Sequence, residues 1–118
     1  MTLVDTSVWV NHLRRGEPRL RALLEAGAVL THAAVIGELA CGNLTRRSEV
    51  LSSLSALPRA THASDDEALA VIERHRLHGR GIGWVDAHLL AAALLTKCAL
   101  WTQDAALEAA ARAAGVSP

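Results

Sequence analysis

Two spacings of apolar residues divide this chain into elements. Leu3-Val4 is a short apolar run ending in Asp5, and residues 7–15 then gather Val8, Trp9 and Leu13 on one side of a helix that Gly16 stops. Pro18 stands where a first helical turn tolerates it, and Leu20, Leu23 and Leu24 repeat at helical spacing until Gly27. Residues 28–31 form a second short apolar run, followed by a helix over 33–41 that carries Val35, Ile36, Leu39 and Ala40 with Glu38 among them. An amphipathic stretch over 46–57 closes at Pro58, and 59–63 has the pattern of a weak edge strand. Ser64 followed by Glu67 has the composition of a capping box that opens a helix running to about residue 78. Gly79, Gly81 and Gly83 then loosen the chain before a helix over 85–96, a strand over 99–102 and an alanine-rich last helix over 104–114.

Strands alternating with helices predict a single α/β domain over residues 1–118, with a parallel sheet of about four or five short strands covered by helices on both faces. The length, 118 residues, suits one core and not two. Phe and Tyr are absent, so Trp9, Trp84 and Trp101 supply every aromatic ring other than histidine, and no multi-base stacking platform can be built. Cys41 and Cys98 are far apart and unaccompanied, which fits a reduced, cytoplasmic chain. No basic leader, apolar leader or membrane-length apolar run is present.

Twelve basic residues balance twelve acidic ones. Four acids nevertheless stand alone among apolar neighbours: Asp5, Glu38, Asp86 and Asp104. Asp86 and Asp104 fall where an acid caps a helix, and Asp5 could cap the helix after it. Glu38 lies mid-helix between Ile36-Gly37 and Leu39-Ala40, where an isolated buried carboxylate is costly unless paired or metal-bound. If the four meet in one cleft they repel one another, and a hard divalent cation resolves the conflict. Mg²⁺, with Mn²⁺ as substitute, takes carboxylate and water oxygens and bridges to phosphate. Two such ions about 4 Å apart can drive phosphodiester hydrolysis without a histidine or lysine base. With these acids neutralised, the remaining basic residues outnumber the acidic ones, and arginine clusters such as Arg14-Arg15 and Arg46-Arg47 could hold phosphates.

The start Leu3-Val-Asp5-Thr-Ser-Val-Trp-Val10, the segment Val35-Ile-Gly-Glu38-Leu, the run Val85-Asp86-Ala-His-Leu-Leu-Ala-Ala and Leu100-Trp-Thr102-Gln-Asp104 closely resemble the PIN-domain ribonucleases. Within them the chain is most similar to the VapC toxins of type II toxin-antitoxin pairs, and the likeness runs in order along nearly the whole chain. The resemblance implies a Mg²⁺-dependent endoribonuclease that cuts RNA, is neutralised by a cognate VapB-type antitoxin and pairs with itself as a homodimer. It implies that Asp5 and Asp86 bind the metal, that Asp104 completes the site, that Glu38 binds metal directly or through water, and that Thr102 and Ser7 orient a ligand or water. Gln103 departs from the family pattern, where a charged residue or Asn is common, and the chain ends at Pro118 with little room for a last edge strand.

Other readings fare less well. A dehalogenase-type phosphatase needs a second acid two residues after Asp5, where Ser7 stands, and a phosphoryl-receiver domain needs a lysine after a late strand, whereas Lys97 precedes it. Six histidines offer no zinc spacing and read as surface residues, and Cys41 lacks the histidine partner of a nucleophile. A catalytically weak PIN-fold RNA-binding or scaffold module is the alternative to a nuclease. For the antitoxin, Trp9, Leu13, Leu20 and Leu24 are expected to line a groove.

Overall fold

A computed structural model describes all residues, 1–118. Its elements run β1 (Thr2–Val4), α1 (Thr6–Arg15), α2 (Pro18–Glu25), β2 (Val29–Leu30), α3 (Ala33–Cys41), α4 (Arg47–Ser55), α5 (Asp65–His75), α6 (Trp84–Thr96), β3 (Ala99–Trp101) and α7 (Ala105–Ala114). The strands form one parallel sheet in the order β2-β1-β3, with Leu3 opposite Leu30 on one side and Leu100 on the other. β1 is therefore central, and its carboxyl end opens between two neighbours.

Successive strand residues point to opposite faces, and in β1 both Leu3 and Val4 are wholly buried. Both faces of the sheet are thus covered, as the continuous apolar strands require. The chain steps from β1 to β2 in one direction and from β2 to β3 in the other. α3 packs against both α1 and α4, and α5 lies along α6. Leucine, valine and alanine fill the core, with Leu89, Leu90, Ala92 and Ala93 of α6 all inaccessible.

The sheet is smaller than the pattern suggested. Residues 59–63 contribute a single bridge, Thr31 to Arg59, in place of a strand. The Pro58 carbonyl accepts from Thr31 N–H and the Ala60 N–H donates to the Thr31 carbonyl, both at 2.9 Å, and pairing stops there, with Thr61 N–H going to the Thr96 hydroxyl. The expected capping box is formed, with Ser64 and Glu67 bonding reciprocally at 2.9 and 3.1 Å. α5 nevertheless stops at His75, because Arg76 turns into the left-handed region at φ 52°. On the far edge of β3, the Leu100 N–H donates to the carbonyl of Val116 at 2.8 Å. No helix is long and apolar enough to cross a membrane.

Candidate functional site

Asp5 follows β1, Asp86 lies in the first turn of α6 and Asp104 precedes α7, at the end of the parallel sheet where ligands usually sit. Asp5 follows β1 directly, its N–H held by the Trp101 carbonyl of β3 at 2.9 Å. It occupies the N-cap position of α1, yet its side chain makes no capping bond. Its Oδ2 accepts instead from the hydroxyls of Thr102 at 2.7 Å and Ser7 at 2.8 Å. Those hydroxyls accept in turn, Thr102 from the Asp104 N–H at 3.0 Å and Ser7 from the Gln103 N–H at 2.9 Å. Each hydroxyl has one proton and both are committed to Asp5, so the 3.2 Å approach of the two oxygens adds no third bond.

Asp104 does cap its helix, Oδ1 accepting from Leu107 N–H at 2.9 Å, and Asp86 Oδ2 accepts from Gly83 N–H at 2.9 Å. Glu38 corrects one expectation. Val35 and Leu39 turn to the core while Glu38, on the outer side of α3, is exposed, and its Oε1 accepts from the Thr6 hydroxyl at 2.6 Å. Its presence in an apolar stretch reflects the periodicity of one helix face rather than burial.

One pattern unites the four acids. Each has one oxygen bonded to the protein while the other has no protein partner, and none is ion-paired with Lys or Arg. Asp5 is 94% buried with only hydroxyl donors around its charge. Burial pushes the Asp86 carboxyl above its ordinary pKa, a shift that the Gly83 N–H opposes and the negative charges of Asp5, Asp104 and Glu38 reinforce. Asp86 therefore feels the charge of the other three acids. A divalent cation would relieve that repulsion, and an all-oxygen donor set suits Mg²⁺ or Mn²⁺. No group of three or more such side chains is placed closely enough to hold a metal ion.

Two features escaped the sequence reading. His32 is not on the surface: it is buried at the start of α3, its Nδ1 accepts from Ala34 N–H, and its ring stacks on His62 at 5.0 Å. Burial, reinforced by His62, His88 and Arg59, lowers its pKa to about 4. His88, beyond Asp86 on α6, meets Asp65 at 3.1 Å and the Trp84 ring edge to face at 4.7 Å. A signal existed for this pair, since Trp84 and His88 are four residues apart on one helix.

The groove beside the site also differs in part. Trp9, His12 and Leu13 of α1, Leu24 at the end of α2, and Val50, Leu54 and Leu57 from α4 and its exit line a cavity of about 490 Å³. Leu20 is absent from its walls because it lies wholly within the core. The Trp9 indole N–H is buried and has no acceptor.

Residues 2–113 match the family model described as the PIN domain. The chain is 45% identical to Ribonuclease VapC32 from two strains of Mycobacterium tuberculosis, CDC 1551 / Oshkosh and ATCC 25618 / H37Rv. The alignment spans 99% of this chain and 95% of the relative. The crystal structure of PAE2754 from Pyrobaculum aerophilum has a similar fold, with a TM-score of 0.62 at 20% identity over 92% of this chain and 78% of the other.

Proposed function

This chain belongs to the PIN-domain family, and from that footing we propose that it is a Mg²⁺-dependent endoribonuclease, the toxin of a type II toxin-antitoxin pair. The observation that carries the reading is the set of four acids, each with one oxygen anchored and the other free, of which Asp86 feels the charge of the other three and none has a counter-cation. A ribonuclease name on relatives 45% identical over nearly the whole chain supports the RNA substrate.

In this mechanism Asp5 and Asp86 would hold the metal, Asp104 would complete the site and Glu38 would act directly or through water. A bound Mg²⁺ or Mn²⁺ would supply activation of a water and compensation of the charge on the scissile phosphate. Thr102 and Ser7 lock Asp5 by occupying Oδ2, so that Oδ1 alone is free to turn outward. The Gly83 N–H does the same for Asp86, and the Thr6 hydroxyl for Glu38. Pre-oriented oxygens need no rearrangement as charge moves in the reaction.

The α1–α4 groove is assigned to a VapB-type antitoxin segment. It is apolar along Trp9, Leu13 and Val50. Self-association as a homodimer is assigned to the cleft between α5 and α6, where Val71, Leu94 and the exposed Leu95 are gathered.

The absence of three directly grouped ligands favours one alternative, a catalytically weak RNA-binding or scaffold module. Incubating the protein with RNA in Mg²⁺ decides between them. Cleavage that EDTA abolishes and that Asp5→Asn lacks supports the nuclease; intact RNA with wild-type protein, or full activity in Asp5→Asn, rejects it.

A further inference from the structure

Glu38 adds its charge to the field at Asp86 and also lines a cavity of about 370 Å³ between α1 and α3. Thr6, Val10 and Arg14 line the α1 wall at four-residue steps, on one face of that helix. Glu38 and Leu39 line the α3 wall, and Asn43 and Leu44 close the cavity from the turn that leads into α4. That turn is tied down: the Gly42 N–H donates to the Leu39 carbonyl at 3.1 Å, and the Arg47 guanidinium donates to the Gly42 carbonyl at 3.3 Å.

The make-up of the cavity suits one nucleotide. Its volume falls in the range of small-ligand pockets, and Val10, Leu39 and Leu44 offer apolar surface to a sugar and a base. Its cation is free. Arg14 is exposed and has no ion pair, whereas Arg46 pairs with Glu49 and Arg47 is taken by Gly42. A guanidinium grips phosphate with paired N–H groups, and the Asn43 carboxamide offers a donor and an acceptor together to a base edge. The Thr6 hydroxyl, bonded to Glu38, marks the acidic end of the cavity, and eight residues of helix separate it from Arg14 by about 12 Å along the axis. Helical side chains lean toward the amino terminus, so the guanidinium closes part of that distance and leaves a span of about one nucleotide.

We propose that this cavity seats the nucleotide next to the scissile phosphate, with Arg14 on its phosphate and Asn43 on its base edge. The inference rests on the nuclease reading of the acid cluster. Glu38 repels a phosphate and Arg14 attracts one, so the charges at the two ends fix which way the nucleotide lies. Arg14 and Asn43 therefore act on binding and on base choice, and the chemical step stays with the acids.

In an Asp5→Asn background, where RNA stays whole, binding of a labelled RNA oligonucleotide in Mg²⁺ is read by fluorescence anisotropy. Adding Arg14→Ala is expected to weaken binding about tenfold and to flatten the slope of log K against log salt by about 0.7, the share of one phosphate contact on a single strand. Arg21→Ala, which removes an exposed arginine of α2 outside the cavity, is expected to weaken it less than about twofold. With Asp5 intact, Arg14→Ala should raise KM with kcat within about twofold, and Asn43→Ala should relax the base preference at one position beside the cut in a mixed-sequence RNA. Equal losses from Arg14→Ala and Arg21→Ala, or an unchanged pattern of cuts in Asn43→Ala, overturn the proposal while leaving the nuclease reading intact. Full RNA binding in Arg14→Ala together with loss of a co-expressed antitoxin gives the cavity to that protein partner and likewise overturns it. Arg14-dependent binding by a protein that cuts no RNA supports the subsite and rejects the nuclease.

Discussion

The Thr102 hydroxyl donates to Asp5 Oδ2 at 2.7 Å across 97 residues of sequence, tying the end of β3 to the end of β1. The same hydroxyl accepts from the Asp104 N–H, so one oxygen atom links two of the four acids. Thr102→Val keeps the shape and removes both bonds. It leaves the Asp104 N–H without its partner and Asp5 with one donor, so a loss of about 1–3 kcal/mol in unfolding free energy is expected. Mg²⁺ affinity should weaken about 10- to 100-fold. Urea denaturation and metal titration measure the two effects; unchanged metal affinity would show that Thr102 is only structural.

Asp5→Asn keeps an oxygen able to accept from both hydroxyls and removes a buried charge. The fold should persist, with stability changed by no more than about 1 kcal/mol, while RNA cleavage falls by roughly 100-fold or more, beyond the cost of losing a supporting contact. Circular dichroism and a cleavage assay on the same preparation separate the two.

Asp86 carries a charge that burial and three neighbouring acids disfavour. Asp86→Asn retains an acceptor for the Gly83 N–H and discards that charge, so in EDTA the variant should be at least as stable as wild type. Mg²⁺ at one hundred times its Kd should stabilise wild type by about 2.7 kcal/mol and the variant far less. Thermal melts with EDTA and with Mg²⁺ check this, and equal gains in the two proteins would remove Asp86 from the metal site.

His32 stays neutral in the folded protein down to about pH 4, against 6.5 for an unperturbed histidine. Between those values the unfolded chain binds the extra proton, so this contribution to stability is complete above pH 6.5 and is lost as pH falls toward 4. The loss is on the order of 3 kcal/mol. His32→Asn keeps a side-chain acceptor for the Ala34 N–H and cannot titrate. Its unfolding free energy should therefore fall less between pH 7 and pH 4.5 than that of wild type; parallel curves would contradict the assignment.

Leu13 is 41% exposed on the wall of the α1–α4 groove. Leu13→Asp should change stability by less than about 1 kcal/mol and abolish co-purification with a co-expressed antitoxin. Retention of the partner by the variant would move the docking surface elsewhere.

Much of this was legible along the chain because it depends on near neighbours. Gly16 and Gly27, the Ser64–Glu67 box and the apolar period of α6 announce helix ends and faces through contacts spanning only a few residues. The edge strand at 59–63 shrinks to one bridge because pairing with Thr31 stops after Ala60 and the Thr61 N–H goes to the distant Thr96 hydroxyl, a choice made only once the elements have packed. Glu38 was misjudged for a related reason. Composition shows an acid in an apolar segment, but which side of α3 faces the core depends on α1 and α4.

By itself, the sequence determined the α/β alternation, the family and the identity of the four acids, since these reside in local periodicity and in residues at fixed spacings. Tertiary structure alone decided which oxygen of each acid is anchored, that Asp5 does not cap α1, and that His32 is buried against His62. Each of these is a contact between groups distant in the chain or a rotamer within a packed crevice. Such contacts are set by the parallel order β2-β1-β3, which brings the ends of β1 and β3 side by side.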